Sequence, residues 1–597
     1  MDVLGISCFG HDAAAVLLRD GVVVAAAEEE RFSRTTHDAS FPALAIDFCL
    51  DRAGIRGADL DYVAFFEKPF RKFERMVVTA LASFPHSRGV FQESMRTWFT
   101  DKLWVQGLIK DRLGVPGDRI LFSEHHLSHA ASAYLCSPYD EAAVLTVDGV
   151  GEWATATYGI GKGNELRILE EIRFPHSLGL LYSAFTAFLG FAVNEGESKV
   201  MGMAPFGEPR YRDQVYKLVQ VGDDGSFALD MDAFAFHRSP DQTFGARFER
   251  LFGAPRDPGT PFFTDRTGYP AELGPPPDDV EARAADNQRF ADIAASIQLV
   301  TEEVLLKMVD HLHRQTGLRR LCMAGGVALN AVANARILRE SPFEELYIQP
   351  AAGDGGGALG AALWAYHTVL GQPRRVSLEH AYWGADHGPG DVEAFLASSG
   401  IAYERPRGED ALLDAVVDAL AAGQVVGWVQ GRFEWGPRAL GNRSILADPR
   451  RADMRDVVNA KIKFREPFHP FAPSVPEECA EEYFELPDAK RHYPARFMLY
   501  VVDVKRDKRA ILPAITHVDG TARLQTVRRE TNPRYYRLLE RFGMATGVPV
   551  LLNTSLNLTG EPIANTPAEA FSTFSRSGLD MLVLGDCIVT KPIVQAG

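Results

Sequence analysis

Two histidines four residues apart, His125 and His129 in Ser123-Glu124-His125-His126-Leu127-Ser128-His129, carry the first recognisable chemistry. On a helix that spacing puts both imidazoles on one face, near enough to share a metal ion. The stretch that follows, Ala130 to Leu135, has no Gly or Pro before Pro138 and predicts a helix. Downstream, residues 142–147 read as a buried strand that ends in Asp148-Gly149-Val150-Gly151-Glu152. An Asp at the carboxyl end of a strand, followed by glycines, is a common metal- or phosphate-facing carboxylate. Two His and one Asp form a facial set that suits Fe(II), and also Zn or Mn. Asp354, just before Gly355-Gly356-Gly357, is a candidate fourth metal or phosphate contact. The alternative is that these are ordinary core or surface histidines. His11, in the turn 8–12, is a candidate general base or transition-state hydrogen bonder; its alternative is a turn-stabilising role.

A second group of chemistry-bearing residues is cationic. The loop 431–444 holds Arg432, Arg438 and Arg443 among glycines and ends in Ser444, a pattern suited to bidentate capture of phosphate or carboxylate. Lys461, Lys463 and Arg465 follow, and Arg523 lies in Asp519-Gly520-Thr521-Ala522-Arg523-Leu524-Gln525-Thr526. Net charge is −16, so local concentrations of cations point to an anionic small-molecule site. Asn553-Thr554-Ser555 and the residues after it read as a polar turn fit to hold phosphate or ribose. Lys199, in a loop dense in Gly and charge, is either a phosphate contact or a solvated lysine.

The elements that must position these groups are legible as well. Residues 3–7, 13–18 and 22–27 read as strands joined by a polar turn and a hairpin. The pattern recurs at 143–147, 148–151 and 154–160. A duplicated strand–turn–strand unit resembles the opening of the actin, sugar-kinase and heat-shock ATPase superfamily, where the first turn faces the phosphates of ATP. Residues 287–316 form one long amphipathic helix. Strands at 320–324 and 346–349 are each followed by glycines, Gly325-Gly326 and Gly355-Gly356-Gly357, whose amides could meet an anion. Together with the His-His-Asp set, they predict a nucleotide site. Residues 222–286 read as an insertion with little regular structure, and 380–390 as a linker. A second domain begins with a helix at 410–422 and a strand at 425–429.

The acidic balance argues against broad nucleic-acid or anionic-membrane binding. Six scattered cysteines with no CxxC pair read as reduced thiols in a cytoplasmic protein. No signal peptide is evident at the start. The most apolar run, 178–193, is short for a membrane span and reads as a buried helix.

In order along the chain stand GHDAAAVLL at 10–18, EERFSR at 29–34, EHHLSHAASAY at 124–134, DGVGEW at 148–153, KVMGMAPFG at 199–207, GGVALN at 325–330, GDGGGALGAA at 353–362, GPRALGNRSILADPR at 436–450, FREPFHPFAPSV at 464–475, DGTARLQTV at 519–527 and NTSLNLTGEPI at 553–563. Together they resemble the O-carbamoyltransferase family of antibiotic and nodulation-factor biosynthesis. One departure is SLNLTGEPI, where the family more often has an aromatic and a basic residue. The resemblance implies an α/β protein of two domains. Residues 1–375 would be an ATPase-superfamily domain like threonylcarbamoyl-tRNA transferase, with bound iron or another divalent metal. Residues 376–597 would be a YrdC-type twisted α/β domain. The implied chemistry joins ATP, with Mg, to carbamoyl phosphate as carbamoyl adenylate in the C-terminal domain. The N-terminal domain then moves the carbamoyl group to an alcohol.

On this basis His11 is expected to act as the base, and His125, His129, Asp148 and Asp354 to bind metal. Gly325, Gly326, Asn330, Gly355 and Gly356, with Lys199, are expected around the nucleotide. Arg438, Arg443, Ser444, Lys463, Arg465, Arg523, Thr526, Asn553 and Ser555 are expected around carbamoyl phosphate and ATP. The acceptor would be a small natural product, with neither nucleic acid nor membrane as partner, and a homodimer is plausible. A tRNA-modifying carbamoyltransferase and a non-catalytic ATP-binding protein of the same superfamily are the alternatives.

Overall fold

The computed structural model describes residues 1–591 apart from 101, 240, 271–273, 376, 466 and 467. The sequence boundary at Val376 and the Glu466-Pro467 pair of the FREPFHPFAPSV motif lie outside the described residues. The chain is α/β and folds into two compact units, one of Met1–Glu29 and His37–Leu378, the other of Glu30–Thr36 and Glu379–Gly597.

The first unit is built on two five-stranded sheets of the same topology. In one, β1 (Asp2–Ser7), β2 (Ala14–Arg19) and β3 (Val22–Glu28) form an antiparallel meander, and β4 (Tyr62–Phe65) and β5 (Ile120–Phe122) continue parallel to β1. In the other, β6 (Glu141–Val147), β7 (Ala154–Lys162) and β8 (Glu165–Arg173) form the meander, and β9 (Arg320–Ala324) and β10 (Glu345–Tyr347) run parallel to β6. The duplication read from the sequence is therefore present, extended to five strands on each side. Apolar side chains on both faces make β1, β2 and β6 almost wholly buried, as strands covered on two sides require.

Helix α1 (His125–Tyr134) and the small-residue helix α3 (Gly355–Leu363) pack on this frame. Their approach is close enough that a Cβ at Gly360 would stand 1.8 Å from the backbone oxygen of Ser128. Only glycine tolerates that contact, and backbone cannot move aside as a side chain would. Gly360→Ala is therefore expected to cost about 1–3 kcal/mol or more, read as a lowered melting temperature; an unchanged one would mean that α1 and α3 are not held at this separation.

Helix α2 (Val280–Thr316) begins seven residues before the predicted start, with Ala284 already buried in its first turns. The insertion is more ordered than its composition suggested. Its helix Ala246–Phe252 sets Phe248 and Phe252 against Phe185 and Phe188, with ring centroids 4.8–6.1 Å apart. The apolar run at 178–193 contains a buried helix, Leu178–Phe188. Among the described residues no helix is long and apolar enough to cross a membrane.

The second unit is a seven-stranded mixed sheet. Its order is Gln525–Val527, Ala472–Pro476, Leu551–Ser555, Arg443–Ala447, Val426–Val429, Met581–Leu584 and Cys587–Thr590. Helices Glu409–Ala421 and Pro533–Thr546 cover one side through Leu413, Val416, Leu420, Leu538, Leu539 and Phe542 around Trp428. The segment 30–36 is part of this unit. Arg31 donates to the Gly436 oxygen at 3.0 Å, Arg34 to the oxygens of Ile563 and Pro562 at 2.7 and 2.8 Å, and Thr36 to Gly560 at 3.0 Å.

One expectation is corrected here. Asn553 and Ser555 do not sit in a turn. The strand runs Leu551–Ser555, because pairing with Arg443–Ala447 places Asn553 opposite Leu446 and Ser555 opposite Ser444.

Candidate functional site

In the first unit, four donor residues from three elements meet. His125 and His129 project from α1. Asp148 follows β6, and Asp354 precedes α3. The two Nε2 atoms face each other at 3.1 Å. Asp148 Oδ2 lies 3.1 Å from His125 Nε2 and 3.7 Å from His129 Nε2, and Asp354 Oδ1 lies 3.6 Å from each. One ligand atom from each residue falls within a 4.8 Å span. Ligands bonded to one ion at about 2.0–2.2 Å stand about 3.0–3.5 Å apart, so the residues present fit a divalent cation. Two imidazole nitrogens turned toward each other beside two carboxylates are hard to satisfy otherwise.

The electrostatics agree. Burial works against the imidazolium form of His125, yet the nearby Asp148 and Glu67 carboxylates outweigh it and push its pKa up to about 10. His129 is likewise buried and still raised, by Asp148 and Asp354. Burial, with the charges of its two neighbours, pushes His126 well down, and its Nδ1 meets Thr146 Oγ1 at 2.7 Å. The pocket thus favours positive charge at the convergence point and not beside it.

Two carboxylates that sequence inspection passed over hold this arrangement. Glu152, in the turn after β6, accepts the His125 N–H with both oxygens at 3.1 Å and so caps α1. Glu67 stands 3.8 Å from His125 Nδ1 and accepts from Lys72 at 2.6 Å. Glu152 was visible in the same Asp-Gly-x-Gly-Glu turn as Asp148; Glu67 carried no local signal. Glu152→Ala is expected to cost about 0.5–2 kcal/mol through the lost cap, measured by thermal melting; no loss of stability would rule the cap out.

His11 lies in the β1–β2 turn, the counterpart of the Asp148 turn between β6 and β7. Its backbone N–H donates to Asp354 Oδ2 at 3.2 Å, and its Nδ1 is 2.9 Å from Asp12 Oδ2. Its Nε2 is buried with no hydrogen-bond partner among the described residues. Burial opposes its protonation, but the Asp12 carboxylate outweighs that and pushes its pKa up to about 9.

The glycine loops are arranged differently from a free amide cradle. Gly325 has φ +97°, and a Cβ there would stand 2.2 Å from the Val147 oxygen, so the position demands glycine. Its N–H is taken by Ala352 O, that of Gly326 by Asp148 Oδ1 at 2.7 Å, and that of Gly356 by Gly353 O. Asn330 caps the helix Ala331–Glu340 through Ala333 N–H and pairs with Gln298. Gly355 lies next to Asp12 and Glu28. The structure thus spends these groups largely on holding Asp148 and packing helices. Lys199 is half-buried, its Nζ 5.6 Å from the Phe191 ring.

In the second unit, Arg438 and Arg523 are half-buried and neither has an acidic partner among the described residues; the Nε of each is unpaired there. Burial pushes Arg438 down to about 10. Burial pushes Arg523 well down, with the charges of Arg438 and Arg465 adding to it. Arg438 and Arg465 thus add their positive charge to that of Arg523. Arg465 Nε donates to Asn459 Oδ1 at 2.8 Å. Lys463 Nζ is buried among neutral acceptors, Ser555 Oγ at 3.1 Å and Asn557 Oδ1 at 2.7 Å, and burial and Arg465 push its pKa well down. Thr526 Oγ1 is buried with no hydrogen-bond partner among the described residues.

Three of the predicted contacts are bonded within the protein. Arg443 is buried with its guanidinium bonded to the oxygens of Asn565, Gln430, Gly431, Asn442 and Ala385. Asn553 bonds Ala439 O, Ser474 Oγ and Gln525 Oε1, and Ser444 Oγ accepts from Gly441 N–H. These bonds hold the sheet together.

Two family models match, carbamoyltransferase N-terminus over residues 2–363 and carbamoyltransferase C-terminus over residues 417–591. The chain belongs to the carbamoyltransferase family. It is 46% identical to protein sll1178 of Synechocystis over 99% of this chain and 96% of that one. It is 40% identical to nodulation protein NolNO of Sinorhizobium fredii, over 98% of this chain and 79% of that one. It is 32% identical to the 3'-hydroxymethylcephem-O-carbamoyltransferase of Amycolatopsis lactamdurans, over 78% of this chain and 79% of that one. The carbamoyltransferase models thus span both the unit with the four-donor cluster and the unit with the cationic cluster.

Proposed function

We propose that this carbamoyltransferase is ATP-dependent and acts in two stages, with a hydroxyl of a small natural product as acceptor. In the second unit, Arg438, Arg465, Arg523 and Lys463 bind the phosphates of carbamoyl phosphate and ATP. Release of phosphate from carbamoyl phosphate by water leaves carbamate, whose oxygen displaces pyrophosphate from the α-phosphorus of ATP and forms carbamoyl adenylate. The arginines neutralise the charge that gathers on the transferring phosphoryl groups.

In the first unit, the neutral form of His11 takes the proton of the acceptor hydroxyl at Nε2 as the acceptor oxygen bonds to the carbamoyl carbon and AMP leaves. Asp354 accepts the His11 backbone N–H and so holds the base beside the four-donor cluster. A divalent cation held by His125, His129, Asp148 and Asp354, Fe(II) or a similar metal, would supply Lewis-acid charge there. A hydroxymethyl acceptor appears in the name of the Amycolatopsis relative, which supports an alcohol as acceptor class.

The observation that carries this reading is the pair Arg438 and Arg523, buried guanidiniums with no acidic partner among the described residues and with Arg465 adding to the charge on Arg523, within a chain of the carbamoyltransferase family. The test is to mix the protein with ATP, carbamoyl phosphate and a divalent metal, without acceptor. Pyrophosphate and carbamoyl adenylate are expected; ATP binding without either product overturns the two-stage scheme.

A further inference from the structure

Asp12 divides its carboxylate between two imidazoles. Oδ2 lies 2.9 Å from His11 Nδ1 and Oδ1 lies 2.8 Å from His37 Nδ1. The two rings are 4.3 Å apart between centroids. An ionised carboxylate only accepts hydrogen bonds, so each Nδ1 must carry a proton. The neutral form of His11 then has its lone pair on Nε2, the nitrogen left buried and unpaired. A carboxylate on one imidazole nitrogen that fixes which nitrogen can take a proton is a general device of acid–base sites.

The surrounding backbone is built to hold this contact. His37 adopts φ +53°, a left-handed conformation costly for a residue with a Cβ. The next two residues close over the His11 turn from both sides: Asp38 O accepts Ala13 N–H at 2.8 Å and Ala39 O accepts Phe9 N–H at 2.7 Å. A strained His37 clamped onto the turn that carries the base is more than a loop contact requires.

We propose that Asp12 and His37 are positioning residues for carbamoyl transfer: Asp12 fixes the tautomer and ring orientation of His11, and His37 holds the Asp12 carboxylate in place. This rests on His11 acting as the base. In the step served, the acceptor O–H proton moves to His11 Nε2, the acceptor oxygen bonds to the carbamoyl carbon, and the bond to the adenylate phosphate breaks with AMP as leaving group.

The test uses the metal-loaded full chain supplied with carbamoyl adenylate and methanol, a probe alcohol small enough for any acceptor pocket, with methyl carbamate as product. Asp12→Asn keeps the size of the side chain but turns an N–H₂ toward one imidazole. It is expected to lower kcat by roughly 10²-fold with KM for methanol unchanged. Asp12→Glu restores two acceptors and is expected to recover at least about tenfold of that loss. His37→Phe, which keeps a ring but not the hydrogen bond, is expected to lower kcat by about tenfold. Pyrophosphate release from ATP and carbamoyl phosphate, and the melting temperature, are measured for every variant to detect misfolding. Wild-type kcat in Asp12→Asn, a change in KM alone, or equal losses in Asp12→Asn and Asp12→Glu each overturn the proposal. His11→Asn is run in parallel. If it makes methyl carbamate as fast as the wild type, the base assignment falls and this inference with it. If it is inactive while Asp12→Asn is normal, only this inference falls.

Discussion

Arg523→Ala is expected to slow pyrophosphate release from ATP and carbamoyl phosphate by roughly 10²–10³-fold, with the melting temperature unchanged or raised. The combination follows from the surroundings of the side chain. Arg523 has no acidic partner among the described residues and is opposed by Arg438 and Arg465. In the absence of substrate its charge is a cost to the fold, so its removal relieves repulsion. On the proposed function, the same charge stabilises the transferring phosphoryl group once the two phosphorylated substrates are bound.

Arg443→Ala provides the contrast. Its guanidinium is filled by five backbone oxygens in the interior. Removing it leaves buried carbonyls unpaired, which costs about 1–3 kcal/mol for each group left without a partner. A lowered melting temperature is expected, with pyrophosphate release falling only as far as folded protein is lost. Steady-state kinetics and calorimetry on the two variants separate the cases. Wild-type pyrophosphate release by Arg523→Ala would falsify the assignment of the cationic cluster to the substrates.

Chelation followed by return of Fe(II), Zn(II) or Mn(II) is expected to load one ion per chain, and His125→Ala to weaken that ion by at least about 10²-fold. His125 Nε2 is central to the cluster, within 3.6 Å of His129, Asp148 and Asp354 donor atoms. Loss of one ligand leaves the two carboxylates to hold the ion with one imidazole. The wild type should also gain about 2.7 kcal/mol of stability at a metal concentration one hundred times the Kd, and His125→Ala should show no such gain at that concentration. Metal analysis and melting curves report this without any acceptor. A wild-type chain that takes up no ion from any of the three salts would remove the metal from the site.

The four candidate ligands were legible because their signals are local. The helical i, i+4 spacing of His125 and His129 survives in any tertiary context that keeps the helix, and Asp148 and Asp354 each stand at an element end marked by glycines. The duplicated strand–turn–strand pattern was legible for a similar reason: strand alternation and turn glycines are short-range properties. Lys463 and the arginines stood out because cations cluster rarely in an acidic chain.

The roles of the glycines were less legible. A glycine after a strand can open an anion cradle or admit a neighbouring backbone, and the sequence pattern is the same. At Gly360 and Gly325 the neighbour is a backbone oxygen less than 2.5 Å from where a Cβ would be. The arginines posed a related ambiguity. Arg438 and Arg443 sit in one motif, yet one has no acidic partner among the described residues and the other is spent on carbonyls, because strand pairing turns Arg443 into the sheet interior.

By itself, then, the amino-acid order determined the α/β character, the two repeated meanders, the four candidate metal ligands and the cationic segments, all set by spacing within about ten residues. Tertiary structure alone decided which distant groups became partners. Glu67 and Glu152 reached His125, Asp12 was shared between His11 and His37, and residues 30–36 joined the second unit. Each of these contacts joins residues brought together by chain reversal or sheet packing, and hydrogen bonds and charges act over a few ångströms of space whatever the separation along the chain.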